Sequence, residues 1–242
     1  MSKEILKWYK DMGLDDITDN IPNDYTKADV MEQNATGNPV DLSRAIAEKC
    51  TTLETLKQAL SNFELCDLKK TATNTVFADG NPDSKIMLIG EAPGANEDLY
   101  GIPFCGESGK LLDHILKSIG LDRSSVYISN TIFWRPPANR RPTIEEMQIC
   151  KPFVEKHISL IEPKLLLLVG STAVSALLDN QEPMSRLRNR EFKYDNQYLK
   201  SSIATRAIFH PSYLLRQPSQ KKLVWNDMLR IKRDFSSLLP IK

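Results

Sequence analysis

From residue 85 onward, short apolar runs alternate with stretches of helical periodicity. Four runs, Ile86–Ile89, Val126–Ile128, Leu165–Val169 and Ala207–Phe209, have the length and hydrophobicity of strands buried on both faces. Ser108–Ile119, Ile144–Ile161, Thr172–Leu178 and Gln220–Leu238 read as helices. Thr143 and Glu146 form a capping box just after Pro142, and Gly120 stops the helix before it. Strand–helix alternation predicts an α/β fold of three α/β/α layers around a mainly parallel, four-stranded central sheet. Ligands of such sheets lie beyond the carboxyl ends of the strands, so the residues just after each strand are where chemistry is expected.

Upstream the pattern differs. Residues 3–12 place Ile5, Trp8, Tyr9 and Met12 at helical spacing, with Gly13 as a stop. Asp15–Asp41 is acidic, polar and aperiodic and reads as a flexible linker. Ala45–Leu60 looks helical again. The predicted organisation is therefore a helical N-terminal extension with its linker over 1–40, and an α/β domain over 41–242.

Composition adds two constraints. The 242 residues, 41% hydrophobic and 26% charged, suffice for one large domain and exclude collagen, coiled coil and wholesale disorder. The longest apolar run, Leu165–Gly170, is of strand length, and Met1-Ser-Lys-Glu lacks a signal-peptide core, so a soluble cytoplasmic chain with no membrane partner is expected. In that setting Cys50, Cys66, Cys105 and Cys150 read as thiols or ligands rather than disulfides. The net charge of +1 hides an asymmetry: residues 183–242 carry 13 Lys/Arg against 4 Asp/Glu, the first 182 carry 19 against 27. A basic C-terminal part fits a polyanionic partner, although an unevenly solvated surface would look the same.

The segments after the strands carry the chemistry. Gly90-Glu-Ala-Pro-Gly-Ala-Asn-Glu-Asp98 is a Gly/Pro-rich turn whose backbone amides can approach a ligand closely. It is not a dinucleotide fingerprint, and Gly106-Glu-Ser-Gly-Lys110 fails as a P-loop because Phe104 and Leu111 stand at required positions. Asn130 offers a carboxamide able to read a base edge, though an Asn there also suits a plain turn. His210-Pro-Ser-Tyr-Leu-Leu-Arg216 puts a histidine at a strand end, followed by Leu214 and Leu215. These are either apolar wedges for a base stack or the first turn of a core helix.

Taken together these segments resemble the uracil-DNA glycosylase superfamily, in particular its family 4, the bacterial and archaeal iron–sulfur enzymes. The resemblance covers roughly residues 60–238. It rests on Gly90-Glu-Ala-Pro-Gly94 with Glu97-Asp98, Gly101-Ile-Pro-Phe104 with Gly109-Lys-Leu-Leu112, Val126-Tyr-Ile-Ser-Asn130, Arg135-Pro-Pro-Ala-Asn-Arg140 and His210-Pro-Ser-Tyr-Leu-Leu-Arg216. It implies a monofunctional glycosylase, a monomer acting on uracil-containing DNA, that hydrolyses the N-glycosidic bond of flipped-out deoxyuridine in base excision repair. By this resemblance Phe104 stacks on uracil, and Asn130 pairs with O4 and N3–H. Amides near Glu91 and Ala92 hold the ring, and His210 donates to O2 as charge develops. Some members carry Asp where this chain has Ala92, which leaves Glu91 as the residue expected to position water. Glu97 and Asp98 are weaker candidates with a loop-structuring alternative. Arg135, Ser212, Leu214, Leu215 and Arg216 are the expected DNA contacts.

The family's cluster cysteines are matched only at Cys66 and Cys150; the other two positions hold Phe63 and Trp134. A four-iron cluster generally takes four thiolates. No cofactor is therefore expected, and a 4Fe-4S cluster would need Cys50 or Cys105 as substitute ligands. The competing expectation is a non-catalytic DNA-binding or polymerase-associated module on the same fold. Phe104, Asn130 and His210 together speak against it, since binding alone needs none of them. A nucleotide- or nucleoside-processing α/β enzyme is the third reading, disfavoured by the failed phosphate motifs.

Overall fold

A six-stranded sheet of order β1-β3-β2-β4-β6-β5 organises the computed structural model, which describes residues 38–239. The expected helix over 3–12 and nearly all of the acidic linker lie outside the described residues. The strands are β1 (Asp79–Gly80), β2 (Ile86–Gly90), β3 (Tyr127–Asn130), β4 (Leu165–Val169), β5 (Phe192–Tyr194) and β6 (Ile203–Ile208). The four in the middle, β3, β2, β4 and β6, are mutually parallel and are the four expected. The sheet is nevertheless six-stranded rather than four-stranded, because β1 and β5 add short antiparallel edges. A two-residue Asp-Gly edge and the three-residue Phe-Lys-Tyr edge hold too little apolar pattern to read as strands. Short, polar edges also resist pairing with other chains.

Strand alternation divides the core between the two faces. Met87, Ile89, Leu166, Leu168 and Ala207 face one layer, while Ile86, Leu88, Leu165, Leu167, Val169 and Ile208 face the other. On the first face pack α1 (Pro39–Lys49), α2 (Leu53–Asn62), α6 (Ile144–Ile161), α7 (Ser171–Leu178) and α8 (Met184–Leu187), and on the second α5 (Glu107–Lys117), α9 (Pro211–Arg216) and α10 (Lys221–Asp234). Two short helices, α3 (Asp67–Thr71) and α4 (Ala95–Tyr100), complete the α-helices among the described residues. The connection from β2 to β3 runs through α5 on one face, and that from β3 to β4 runs through α6 on the other. The strand order therefore reverses at β2, between β3 and β4, and right-handed crossovers require the helices to change face there. This is the switch point at which open α/β sheets bind ligands.

Several element boundaries differ from expectation; β3 runs on to Asn130, and the last helix, α10, ends at Asp234. The helix expected over Ala45–Leu60 is two, α1 and α2, broken at Cys50–Thr52. Thr52 caps α2 by accepting from the Thr55 N–H, and Thr55 Oγ1 accepts from the Thr52 N–H, both at 3.1 Å. Threonine hydroxyls offer the backbone this alternative to continuing a helix. α1 starts at Pro39, where the Asn38 side chain accepts from the Val40 N–H. β6 runs Ile203–Ile208 rather than Ala207–Phe209, because Thr205 is buried and Arg206 interrupts the apolar run without interrupting the strand. Among the described residues no helix is long and apolar enough to cross a membrane.

Candidate active site

β2 and β3 end side by side, with Gly90 opposite Asn130 in the register. Asn130 is the last residue of its strand and 2% exposed. A Cβ on Gly90 would lie 2.4 Å from both Asn130 Oδ1 and Phe104 Cζ. Glycine is thus required at position 90 for the carboxamide and the aromatic ring to meet over the strand end. Phe104 itself has φ 52°, the left-handed backbone that few bulky residues adopt. Its ring lies 5.6 Å from the His210 ring at an interplanar angle of 32°.

His210 follows β6 and caps α9. Its Nδ1 accepts from the backbone N–H of Ser212 at 3.1 Å and lies 2.8 Å from Ser212 Oγ. A nitrogen that accepts a backbone N–H keeps its lone pair, so the neutral ring carries its proton on Nε2. Burial lowers the imidazole pKa below its ordinary value, with Glu91 opposing the shift and Arg216 adding to it. The site therefore presents a neutral imidazole with an Nε2–H donor. Gly170 lets β4 end against this residue, since a Cβ there would lie 3.0 Å from His210 Cβ and its φ is +99°.

Glu91 follows Gly90. Its carboxylate accepts from Thr172 Oγ1 at 2.6 Å, and its backbone carbonyl accepts from the Ile132 N–H and Thr131 Oγ1. Both ends of the residue are therefore held. Glu91, Ala92, His210, Ser212 and Arg216 line one open groove of about 980 Å³, together with Gly170 and the loop at Pro136 and Asn139–Arg141. Phe104 and Asn130 are not on its surface; both are buried and meet at Gly90, with the Phe104 ring beside that of His210. Exposed Arg141 and Arg216 make part of the groove basic, whereas Arg140 is engaged with Glu146 at 2.9 and 2.6 Å.

Other expected residues have structural partners. Glu97 accepts from the N–H groups of Gly94 and Gly106, and Asp98 from those of Thr73 and Asn74, the loop-structuring alternative in both cases. Arg135 lies outside the groove lining and donates to Asn139 Oδ1 at 2.8 Å. Leu214 corrects the expectation of a DNA-contacting wedge: it is 0% exposed and packs with Val224, Met228 and Ile231 in the core. Leu215, the next residue, is 44% exposed, because adjacent helical positions point about 100° apart. Ser212, expected at DNA, is turned onto His210. Thr172 was missed, although it follows β4 within three residues and the strand-end rule points to it as to the others.

Cys66 and Cys150 are both buried in the same core cluster, and the neighbouring Cys66 thiol together with burial raises the Cys150 thiol pKa well above the ordinary value. Beside them Phe63 stacks on Trp134 with centroids 6.4 Å apart and 15° between planes, and meets Phe153 edge-on at 5.0 Å. Trp134 Nε1 is satisfied by Thr75 Oγ1 at 3.0 Å. Cys50 Sγ is bonded to the Ile46 carbonyl, and Cys105 lies in the loop before α5. Among the described residues no three metal-ligating side chains converge. This donor set, two thiols flanked by a packed aromatic pair, does not fit a cluster held by four thiolates.

The model of the Uracil DNA glycosylase superfamily matches residues 77–229. A type-4 uracil-DNA glycosylase of Thermotoga maritima is 37% identical over 182 residues, 74% of this chain and 93% of that protein. One from Archaeoglobus fulgidus is 34% identical over 184 residues, covering 74% and 92%. One from Sulfurisphaera tokodaii is 33% identical over 186 residues, covering 75% and 84%.

Proposed function

The chain belongs to the uracil-DNA glycosylase superfamily, and from that membership we propose that it hydrolyses the N-glycosidic bond of deoxyuridine flipped out of DNA, releasing uracil and leaving an abasic site. The observation that carries the reading is the meeting of Asn130 and Phe104 at Gly90, with His210 against the Phe104 ring, at the carboxyl ends of the central strands.

In this reading the uracil ring stacks on Phe104. The Asn130 carboxamide donates to O4 and accepts from N3–H, a pattern that cytosine inverts. The C1′–N1 bond breaks with its electron pair leaving on the base, and charge grows at O2, where the Nε2–H of His210 donates. Glu91, steadied by Thr172, orients a water whose oxygen bonds to C1′. The proton that this water sheds passes to the carboxylate, and the uracil anion takes one from solvent. On a single-stranded oligonucleotide bearing one uracil, alkali-sensitive breaks are expected at that position and not at cytosine or thymine placed there. Tight binding with the strand left intact would instead indicate a DNA-binding module without chemistry.

Arg135, Ser212 and Arg216 remain proposed DNA contacts, with Leu215 as the apolar residue facing out beside them. An apolar side chain inserted into the stack matters most where the base must be unpaired. Leu215→Ala is expected to slow excision from a U·A duplex several-fold more than from a single strand, read as the ratio of the two single-turnover rates. Equal losses on both substrates would remove Leu215 from base extrusion.

We also propose that the protein carries no iron–sulfur cluster, because stacked Phe63 and Trp134 fill the space beside Cys66 and Cys150. Anaerobically purified protein should be colourless, with neither iron nor acid-labile sulfide in stoichiometric amount. Stoichiometric iron and sulfide would overturn this and implicate Cys50 or Cys105.

A further inference from the structure

Phe104 is held by a residue that never reaches the groove. Arg123 lies in the turn between α5 and β3. Its Nη2 donates to the Phe104 carbonyl and its Nη1 to the Pro103 carbonyl at 3.2 Å. The same guanidinium is fixed from both sides, by Asp79 on edge strand β1 at 2.6 Å and by Asp113 on α5 at 2.9 Å. Two further contacts leave this arrangement little play. A Cβ on Gly109 would sit 1.5 Å from the Phe104 carbonyl oxygen, so α5 is packed against that oxygen. A Cβ on Gly80 would sit 2.9 Å from the Arg123 carbonyl, so β1 is packed against the arginine's own turn.

The left-handed backbone at Phe104 sends the carbonyl one way, to Arg123, and the ring the other way, over Gly90 and beside His210. An unsupported bulky residue leaves that conformation readily, and its ring would swing with it. Arg123 supplies what the conformation needs: a planar fork that reaches two carbonyls and two carboxylates at once. Arg123 is absent from the groove lining, and of its partners Phe104 is the one whose ring lies against His210.

We propose that Arg123, braced by Asp79 and Asp113, is a positioning residue that locks the Phe104 ring as the stacking platform for the flipped base. This rests on the reading of Phe104 as that platform. Because the ring must be placed to within about 1 Å, Arg123→Gln is expected to lower single-turnover excision from a uracil-containing single strand by about 10- to 100-fold. Inhibition by free uracil should weaken in parallel.

The test is a double-mutant cycle of Arg123→Gln with Phe104→Ala. If Arg123 acts through the ring, its substitution lowers excision less than about threefold once Phe104 is alanine. An equal loss in both backgrounds overturns the proposal and makes Arg123 a general scaffold residue. If Phe104→Ala alone leaves excision and uracil inhibition unchanged, the stacking assignment fails, and the inference fails with it by a distinguishable route. Should Arg123→Gln not fold, Asp113→Asn removes one brace only, and the same cycle with Phe104→Ala decides between these outcomes.

Discussion

Replacing His210 by alanine lowers single-turnover excision of uracil by about 10²- to 10³-fold while leaving DNA binding close to unchanged, and it costs about 1 kcal/mol of stability because the side-chain cap of α9 goes with it. The magnitude is that of removing one preorganised donor aimed at developing negative charge, about 3–4 kcal/mol. The donor is preorganised because the Ser212 N–H occupies Nδ1 and leaves Nε2–H as the free end of the ring. A pH dependence follows. Burial lowers the His210 pKa below its ordinary 6.5, so the neutral imidazole persists through neutral pH and the ring charges only in more acid solution. Protonation at Nδ1 would also cost the bond from the Ser212 N–H and loosen the first turn of α9. The histidine-dependent fall in rate is therefore expected on the acid side of 6.5, and His210→Ala should flatten it. A wild-type rate that instead climbs as pH drops through this range would assign the reaction to an imidazolium.

The second large effect belongs to Asn130. Asn130→Ala leaves O4 and N3–H of a buried uracil without partners, at about 1–3 kcal/mol, or about 5- to 150-fold in excision. Asn130→Asp should be at least as damaging on uracil. An ionised carboxylate faces O4 with like polarity, whereas a protonated one can accept from a cytosine N4–H and donate to N3. Measurable cleavage at cytosine by Asn130→Asp, rising as pH falls, is the expected signature. Uracil excision unaffected by Asn130→Ala would take Asn130 out of the pocket. Asn130 ends β3 rather than forming a plain turn, and it is buried beside Phe104 at Gly90.

How far the sequence was legible depends on where each signal resides. The four central strands are nearly continuous apolar runs because both their faces are covered, and such runs stand out in the chain. The edges do not: β1 owes its pairing to the Asp79–Arg123 ion pair and to backbone contact at Gly80, neither of which leaves an apolar pattern. The break at Cys50–Thr52 was hidden because its capping box uses threonine at both ends, where the usual signature has Glu or Gln second. Leu214 and Leu215 are chemically identical, and only the helix phase separates a core residue from an exposed one. Glu91, Asn130 and His210 were legible because each follows or ends a strand. Thr172 also stands just after a strand, but it acts through Glu91, and a hydroxyl two residues past a glycine does not announce that role. Arg123, in a polar turn away from any strand end, has no pattern of its own.

The glycosylase reaction is tested most directly by the product balance for a uracil-containing single strand, with free base and strand quantified separately. One free uracil is expected for each strand that becomes alkali-sensitive, with no break before alkali, and both products are expected to disappear together in a His210→Ala, Asn130→Ala double variant. Release of a nucleotide rather than the base, or undiminished uracil release by that double variant, would contradict this expectation.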